Sequence, residues 1–122
     1  MNGSIDILVI DDNQHQLNFL MRLFNFCGYN TKTLNESKNA INEITKLNPR
    51  LLILDIMMPE MDGFTLLKKI RENQKLSAIP VIIFTNKFYN VDRKKAFDLG
   101  ANAFIVKPVR GNVLLSEVKK YL

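Results

Sequence analysis

The sequence predicts an α/β fold: a single doubly wound (βα)5 domain whose five-stranded parallel sheet carries helices on both faces. Two observations lead to this prediction. Short apolar runs alternate with amphipathic segments along the 122 residues, and such alternation implies parallel strands joined by right-handed helical crossovers. The run LLIL at 51–54 is apolar at every position, which is typical of a strand buried on both faces. Periodicity alone does not give the order of the strands.

In the first half of the chain, strands are expected at 5–10 and 51–54, with a weaker one at 29–34. The weaker strand is polar and β-branched, which favours the edge of a sheet. A first helix is expected at about 13–27, where Gly28 can take the left-handed conformation that ends a helix. Ser37 is expected to cap a second helix that Asn48 and Pro49 end. The predicted inward positions of these helices are Leu17, Leu20, Met21, Phe24, Ala40, Ile41, Ile44 and Leu47.

In the second half, Asp62 is expected to cap a third helix, and Pro80 precedes a fourth strand at 81–84. A short basic helix is expected at 91–99, closed by Gly100, before a fifth strand at 104–106. The last helix is expected at about 112–122. The predicted inward positions are Phe64, Leu67 and Ile70 in the third helix, and Val113, Leu114 and Val118 in the last.

The composition is that of an ordinary globular domain, with 47% hydrophobic and 24% charged residues. The length fits one domain spanning 1–122. No apolar run approaches the roughly 20 residues of a membrane helix, and the N-terminus lacks a secretory signal, so no membrane association is expected. The single cysteine, Cys27, cannot form an internal disulfide and is expected to pack at a helix end. We therefore expect a cytoplasmic protein.

The net charge of +5 is concentrated in the second half of the chain. Residues 1–61 carry 5 Lys/Arg and 7 Asp/Glu, a net −2, whereas residues 62–122 carry 12 and 5, a net +7. Such a half would suit an acidic partner or nucleic acid. Because no nucleic-acid-binding module is recognisable, we favour solvation of helix faces and expect no direct nucleic-acid binding. The basic run 93–95 fits a solvated face and a docking surface equally well.

Polar side chains follow the strong strands: Asp11, Asp12, Asp55, Thr85 and Lys107. In a parallel sheet these strand ends lie on one side, so the side chains are expected in one crevice. Clustered carboxylates repel one another unless a cation lies between them, and Mg²⁺ that keeps several waters suits short loops. An aspartate can also be a nucleophile towards phosphorus, with Thr85 and Lys107 holding the phosphoryl oxygens. The crevice therefore predicts phosphoryl transfer.

These strand-end residues, with LDIMMPEMDG at 54–63, LGANAF at 99–104 and Lys107-Pro108, make the chain resemble a response-regulator receiver domain of two-component signalling over its whole length. The resemblance implies the flavodoxin-like strand order 2-1-3-4-5 and a cis Lys107–Pro108 peptide. It implies that Asp55 accepts a phosphoryl group from a sensor histidine kinase or histidine phosphotransfer protein. Mg²⁺ would be held by Asp12, Asp55 and the backbone carbonyl of Met57, with Asp11 assisting.

The resemblance also implies a switch. Thr85 would move towards the phosphoryl group and Phe104 would turn inward. The face formed by the fourth helix, fifth strand and fifth helix would then change for a downstream protein partner. Because Phe104 has no hydroxyl, we expect its ring to lie inward even before phosphorylation.

Three residues near the predicted site depart from the family pattern. Asn86 replaces a small residue and is expected to narrow access to Asp55. Met57 has no polar group to orient an attacking water, and Lys87 offers a second cation for the phosphoryl group. We therefore predict slow hydrolysis and a long-lived phosphorylated state.

Two other functions fit parts of the sequence. A pseudo-receiver would bind proteins constitutively; Asn86 favours it, and the complete set of acids, threonine and lysine argues against it. A hydrolase working through an aspartyl phosphate would usually carry a second aspartate where this chain has Met57. We predict a signalling module, a monomer or phosphorylation-dependent dimer, that catalyses only its own phosphorylation and slow dephosphorylation. His15, the single histidine, is interpreted as a helix surface residue.

Overall fold

The computed structural model describes residues 4–122, which form a parallel sheet flanked by helices. The strands are β1 (Ile7–Ile10), β2 (Thr31–Leu34), β3 (Leu51–Leu54), β4 (Val81–Thr85) and β5 (Ala103–Val106). The helices are α1 (Gln14–Phe26), α2 (Ala40–Leu47), α3 (Gly63–Glu72), α4 (Asn90–Asp98) and α5 (Gly111–Lys119). The strand order β2-β1-β3-β4-β5 confirms the order that the family resemblance implied. Between residues 4 and 122, no helix combines the length and hydropathy needed to cross a bilayer.

Two hydrophobic clusters bury the sheet, one on each face. Leu52 and Leu54 of β3 face the cluster that α2, α3 and α4 cover. Leu51 and Ile53 face the cluster that α1 and α5 cover. All of β3 is buried, as its uninterrupted apolar run predicts. The strand therefore fixes the position of whatever residue follows it.

Side-chain caps and left-handed residues set the ends of several helices. Asn13 Oδ1 accepts a hydrogen bond from the Gln16 N–H at 3.1 Å, and this bond starts α1. Asp62 Oδ1 accepts from the Thr65 N–H at 2.9 Å, which confirms Asp62 as the cap of α3. Gly28 and Gly100 follow α1 and α4 with φ of 90° and 103°, the left-handed conformation predicted for both.

The prediction that Ser37 caps the second helix is wrong. Its hydroxyl donates to the Pro59 carbonyl oxygen at 3.3 Å, so it ties the chain before α2 to the loop after β3. A turn separates Ser37 from α2, and the residue at the cap position is Asn39, whose side chain makes no capping bond. Sequence spacing alone does not distinguish a cap from a serine that bonds a distant loop.

Two predictions of burial are also wrong. Val113 is 45% exposed, because Leu114 and Val118 lie one turn apart and form the inward stripe of α5. Cys27 is exposed, since it lies at the C-terminal end of α1, just before the turn at Gly28. Neither error changes the fold.

Arg71, near the end of α3, joins two other parts of the chain. Its Nε and Nη2 donate to the Gly100 carbonyl oxygen at 3.0 and 2.8 Å. Its Nη1 donates to the carbonyl oxygens of Ser77 and Ile79 at 3.1 and 2.7 Å. The guanidinium therefore connects the turn after α4 to the segment that leads into β4.

Candidate functional site

The candidate site lies at the carboxyl edge of the sheet, where backbone hydrogen bonds continue past the strands. The Asp11 N–H donates to the Leu34 carbonyl and the Asp55 N–H to the Ile10 carbonyl, both at 3.1 Å. The Lys107 N–H donates to the Thr85 carbonyl at 2.7 Å. Because the ladder holds their main chains, these residues present their side chains from fixed positions. This is the edge at which open parallel sheets bind ligands.

The Lys107 ammonium bridges two of the acids. Its Nζ lies 2.6 Å from Asp11 Oδ2 and 3.4 Å from Asp55 Oδ2. The side chain is only 8% exposed, and the ammonium also lies 5.3 Å from the centre of the Phe84 ring. Such a buried ammonium needs charged partners, and the two carboxylates supply them.

Asp11, Asp12 and Asp55 form an acidic cluster whose nearest carboxylate oxygens all lie within 4.8 Å of one another. Asp11 and Asp55 are buried and Asp12 is exposed. Burial raises the pKa of Asp11, and this effect exceeds the opposing effect of its hydrogen bond from Lys107. Three carboxylates and one ammonium leave a formal charge of −2. Hard oxygen donors with that residual charge fit a divalent cation such as Mg²⁺.

The Asp55 carboxylate is held at both oxygens. Oδ1 accepts a hydrogen bond from the Met57 N–H at 3.1 Å, and Oδ2 faces Lys107. The bond from Met57 fixes the peptide that precedes the carbonyl predicted as a metal ligand, while the Met57 side chain is 50% exposed. Whether that carbonyl binds a cation stays a prediction. Asp11 is held in a similar way, since its Oδ1 accepts from the Asn13 N–H at 3.0 Å.

Gly63 is a site-forming residue that the sequence shows only as the last residue of the stretch LDIMMPEMDG at 54–63. A Cβ at this position would overlap the Asp55 carbonyl oxygen and lie 2.7 Å from Ile56 Cα. The Gly63 N–H also donates to the Ile56 carbonyl at 2.8 Å. The start of α3 therefore packs directly on the main chain of the residue proposed as nucleophile. Only the three-dimensional approach of α3 to β3 reveals this, because the sequence pattern shows no more than a glycine after an aspartate.

Thr85 and its neighbours complete the crevice. Thr85 is fully buried, and its Oγ1 accepts a hydrogen bond from the Lys87 N–H at 3.3 Å. The Lys87 ammonium lies 3.9 Å from Asp92 Oδ1, and Asn86 lines a cavity of about 300 Å³ beside Lys107. The structure thus brings the predicted site residues to one edge of the sheet.

Two further expectations concern β5 and the loop after it. The Lys107–Pro108 peptide is cis, as the family resemblance implied. Phe104 is 7% exposed and belongs to the hydrophobic cluster that α2, α3 and α4 cover, which agrees with an inward ring. Its role as a switch stays a prediction. His15 is exposed on α1, in agreement with its interpretation as a surface residue.

Comparison with known families identifies the domain. The family model described as the response regulator receiver domain matches residues 7–119. The chain belongs to this family. Receiver domains are signalling modules of two-component systems and work with histidine kinases and phosphotransfer proteins.

Individual relatives agree with this assignment. The chain is 39% identical over 95 residues to a probable transcriptional regulator, ycf29, of Pyropia yezoensis. This alignment covers 78% of this chain and 43% of that protein. A signal receiver domain of a histidine kinase from Syntrophus aciditrophicus superimposes with a TM-score of 0.88 at 33% identity, covering 98% and 90% of the two chains. The chemotaxis protein CheY4 of Vibrio cholerae has the same fold, with a TM-score of 0.90 at 23% identity over 98% and 99% of the chains. The chain spans about half the length of several curated relatives that it matches.

Proposed function

We propose that this receiver domain accepts a phosphoryl group on Asp55 from a phosphohistidine of a sensor histidine kinase or histidine phosphotransfer protein. The observation that carries the proposal is the position of the Asp55 carboxylate, fixed by the Met57 N–H and facing the Lys107 ammonium. In the transfer, an Asp55 oxygen attacks phosphorus and the P–O bond forms as the P–N bond to the donor imidazole breaks. The imidazole leaves with the electron pair of that bond and takes up a proton.

Lys107 and Thr85 have separate roles in this reaction. The Lys107 ammonium already lies 3.4 Å from Asp55 Oδ2, so it can balance negative charge that develops on the phosphoryl oxygens. The Thr85 hydroxyl is buried and can turn to donate to a phosphoryl oxygen, since its oxygen now accepts from the Lys87 N–H.

Mg²⁺ is the proposed cofactor, with Asp12, Asp55 and the Met57 carbonyl as ligands and Asp11 assisting. Bound there, the ion would neutralise charge on the phosphoryl group during transfer. The residual formal charge of −2 in the cluster and the exposure of Asp12 support a divalent ion that keeps part of its water shell. Lys107 would hold Asp11 Oδ2 in place through their ion pair.

Phosphorylation is proposed to act through the face formed by α4, β5 and α5. It adds charge and acceptor oxygens beside Thr85, which draws that hydroxyl and the following loop towards Asp55. We propose that a downstream protein reads the resulting shift, and that the domain works in the cytoplasm as a monomer or a phosphorylation-dependent dimer. We expect no direct binding of this chain to nucleic acid.

We also propose that the phosphorylated form is long-lived. The exposed thioether of Met57 offers no group to orient a water, and Asn86, where the family usually has a small residue, would narrow access to Asp55. Lys87 can add a second cation near the phosphoryl group if its ion pair with Asp92 opens; the pair is long, at 3.9 Å, and the Lys87 side chain is 40% exposed.

One experiment tests the central step. The protein is incubated with Mg²⁺ and acetyl phosphate, and its intact mass is measured. We expect the gain of one phosphoryl group in the wild type and no gain in Asp55→Asn. A wild type that gains nothing would favour the pseudo-receiver, and continuous release of phosphate with fast turnover would favour a hydrolase.

A further inference from the structure

Arg93 on α4 makes contacts that the proposed chemistry does not use. Its Nη1 donates to the Phe104 carbonyl oxygen at 3.2 Å. Its Cζ lies 5.2 Å from the centre of the Phe97 ring and 5.9 Å from that of the Phe104 ring. Within residues 4–122 no ion pair joins Arg93 to a carboxylate. The Arg93 guanidinium is thus directed at β5 and not at an acidic side chain.

The same turn of α4 also contacts the phosphoryl side of the sheet. Asp92, the neighbour of Arg93, pairs with the Lys87 ammonium at 3.9 Å, and the Lys87 N–H donates to Thr85 Oγ1. One helical turn therefore contacts both the loop that follows Thr85 and the main chain of Phe104. A change in the position of Thr85 can reach Phe104 along these contacts.

We infer that Arg93 is a latch, a positioning residue that holds the Phe104 ring inward before phosphorylation. The inference rests on the proposed function, because a latch matters only if Phe104 takes part in the response. The guanidinium suits this role since its planar fork can donate to a carbonyl while its face lies over a ring. A lysine ammonium is a single point charge, so from one position it can keep only one of these two contacts.

The latch also shapes a groove between α4 and α5. This groove has a volume of about 560 Å³, and its lining includes Arg93, Phe97, Phe104 and Glu117. With Arg93 in place, the ring starts in the position that phosphorylation favours, so phosphorylation changes the orientation of the ring only slightly. Without Arg93 the outward population of the ring rises about two- to fivefold, the size expected for an exposed cation–π contact.

The test labels phenylalanine with fluorine and follows the Phe104 resonance, which Phe104→Leu identifies. The compared proteins are wild type, Arg93→Met, Arg93→Lys and the control Lys94→Met, which removes the same charge from the same helix. Lys94 pairs only with the exposed Asp98 among the described residues. The difference in chemical shift between H₂O and D₂O reports the exposure of the ring.

Without phosphodonor, we expect a larger solvent isotope shift in Arg93→Met, a smaller increase in Arg93→Lys and no change in Lys94→Met. With acetyl phosphate, the Phe104 resonance should move further in Arg93→Met than in wild type, because phosphorylation then returns the ring inward. If the solvent isotope shift of Phe104 before phosphorylation is the same in Arg93→Met and wild type, the latch is overturned. If wild type takes up no phosphoryl group, the proposed function fails, while the contact is still judged from the unloaded proteins.

Discussion

The third and fourth helices start from neighbouring loops at the same edge of the sheet, yet they are attached to it very differently. α3 buries five residues, Gly63, Phe64, Leu66, Leu67 and Ile70. α4 buries only Asp92 and Ala96. Since burial of apolar surface is the main stabilising term in folding, α3 is held much more firmly than α4. The difference suggests a rigid side of the site, formed by β3 and α3, that fixes Asp55. It also suggests a responsive side, formed by α4 and the loop after Thr85, that is loosely held and can move.

The largest expected effect is on the rigid side. Gly63→Ala should lower the free energy of unfolding by about 3 kcal/mol, because a methyl group there meets the backbone of Asp55 and Ile56, which cannot move aside. Urea unfolding measures the loss. The matched control is Gly111→Ala, where a Cβ meets only Leu23 methyl groups at 3.6 Å. It should be neutral or stabilising by up to about 1 kcal/mol, and equal losses in both variants would refute the close approach at Gly63.

The second prediction addresses the comparison itself. The amides of α4 should open at least about tenfold more often than those of α3, because few buried apolar contacts oppose local opening of α4. Native-state hydrogen exchange measures these opening frequencies. Equal protection of the two helices would contradict the division into a rigid and a responsive side.

Binding of Mg²⁺ should stabilise the site by a smaller amount. At an ion concentration ten times the Kd, the expected gain is about 1.4 kcal/mol, or a few degrees in Tm. Thermal unfolding with Mg²⁺ and with EDTA measures it, and Asp55→Asn should lose most of the gain. Asp98→Asn, which removes an exposed acid from α4, should keep it. An equal response in both variants would mean that the ion binds elsewhere.

The lifetime of the phosphorylated protein tests the departures from the family pattern. Met57→Asn should speed the decay several-fold by orienting a water, an effect of about 1 kcal/mol on the barrier. Lys87→Ala should also speed it by removing a cation. The decay is followed by intact mass after removal of acetyl phosphate. If neither substitution changes the rate, these side chains do not control hydrolysis.

The smallest effect concerns the charge of Asp11. Because burial raises its pKa, the folded protein binds this proton more tightly than the unfolded chain. Stability is therefore lost as pH rises from the unfolded value of 3.8 through the folded pKa, and the loss persists above it. Without Mg²⁺, the free energy of unfolding of Asp11→Asn should accordingly rise relative to that of wild type between pH 4 and pH 7. Unfolding at both pH values checks the sign.

Much of this arrangement follows from local patterns. The limits of β3 match the predicted run 51–54 because every residue in it is apolar and Asp55 ends it. The strand-end acids, Thr85 and Lys107 could be assigned to one edge because parallel topology places all strand ends together. The strand order came from the family resemblance, since periodicity carries no information about which strands are neighbours.

What the sequence missed depends on contacts between distant segments. Ser37 bonds the loop at Pro59, and Gly63 packs on Asp55, through approaches that no spacing rule encodes. From the sequence, Arg93 fits a solvated face and a docking surface equally well; its hydrogen bond to the Phe104 carbonyl is visible only in the structure. Val113 was misassigned because its neighbour Leu114 takes the inward position in a short helix.

The Arg71 contacts give α4 one anchored end. Because the guanidinium binds the Gly100 carbonyl twice, and a Cβ on Gly100 would lie 2.9 Å from Arg71 Nε, the turn after α4 has little room to shift. Because α4 is fixed at its C-terminal end and lightly packed along its length, we expect it to move by rotating about Gly100. Displacement of α4 should then be greatest at Asn90, the end nearest Thr85, and amide exchange along the helix should show that gradient.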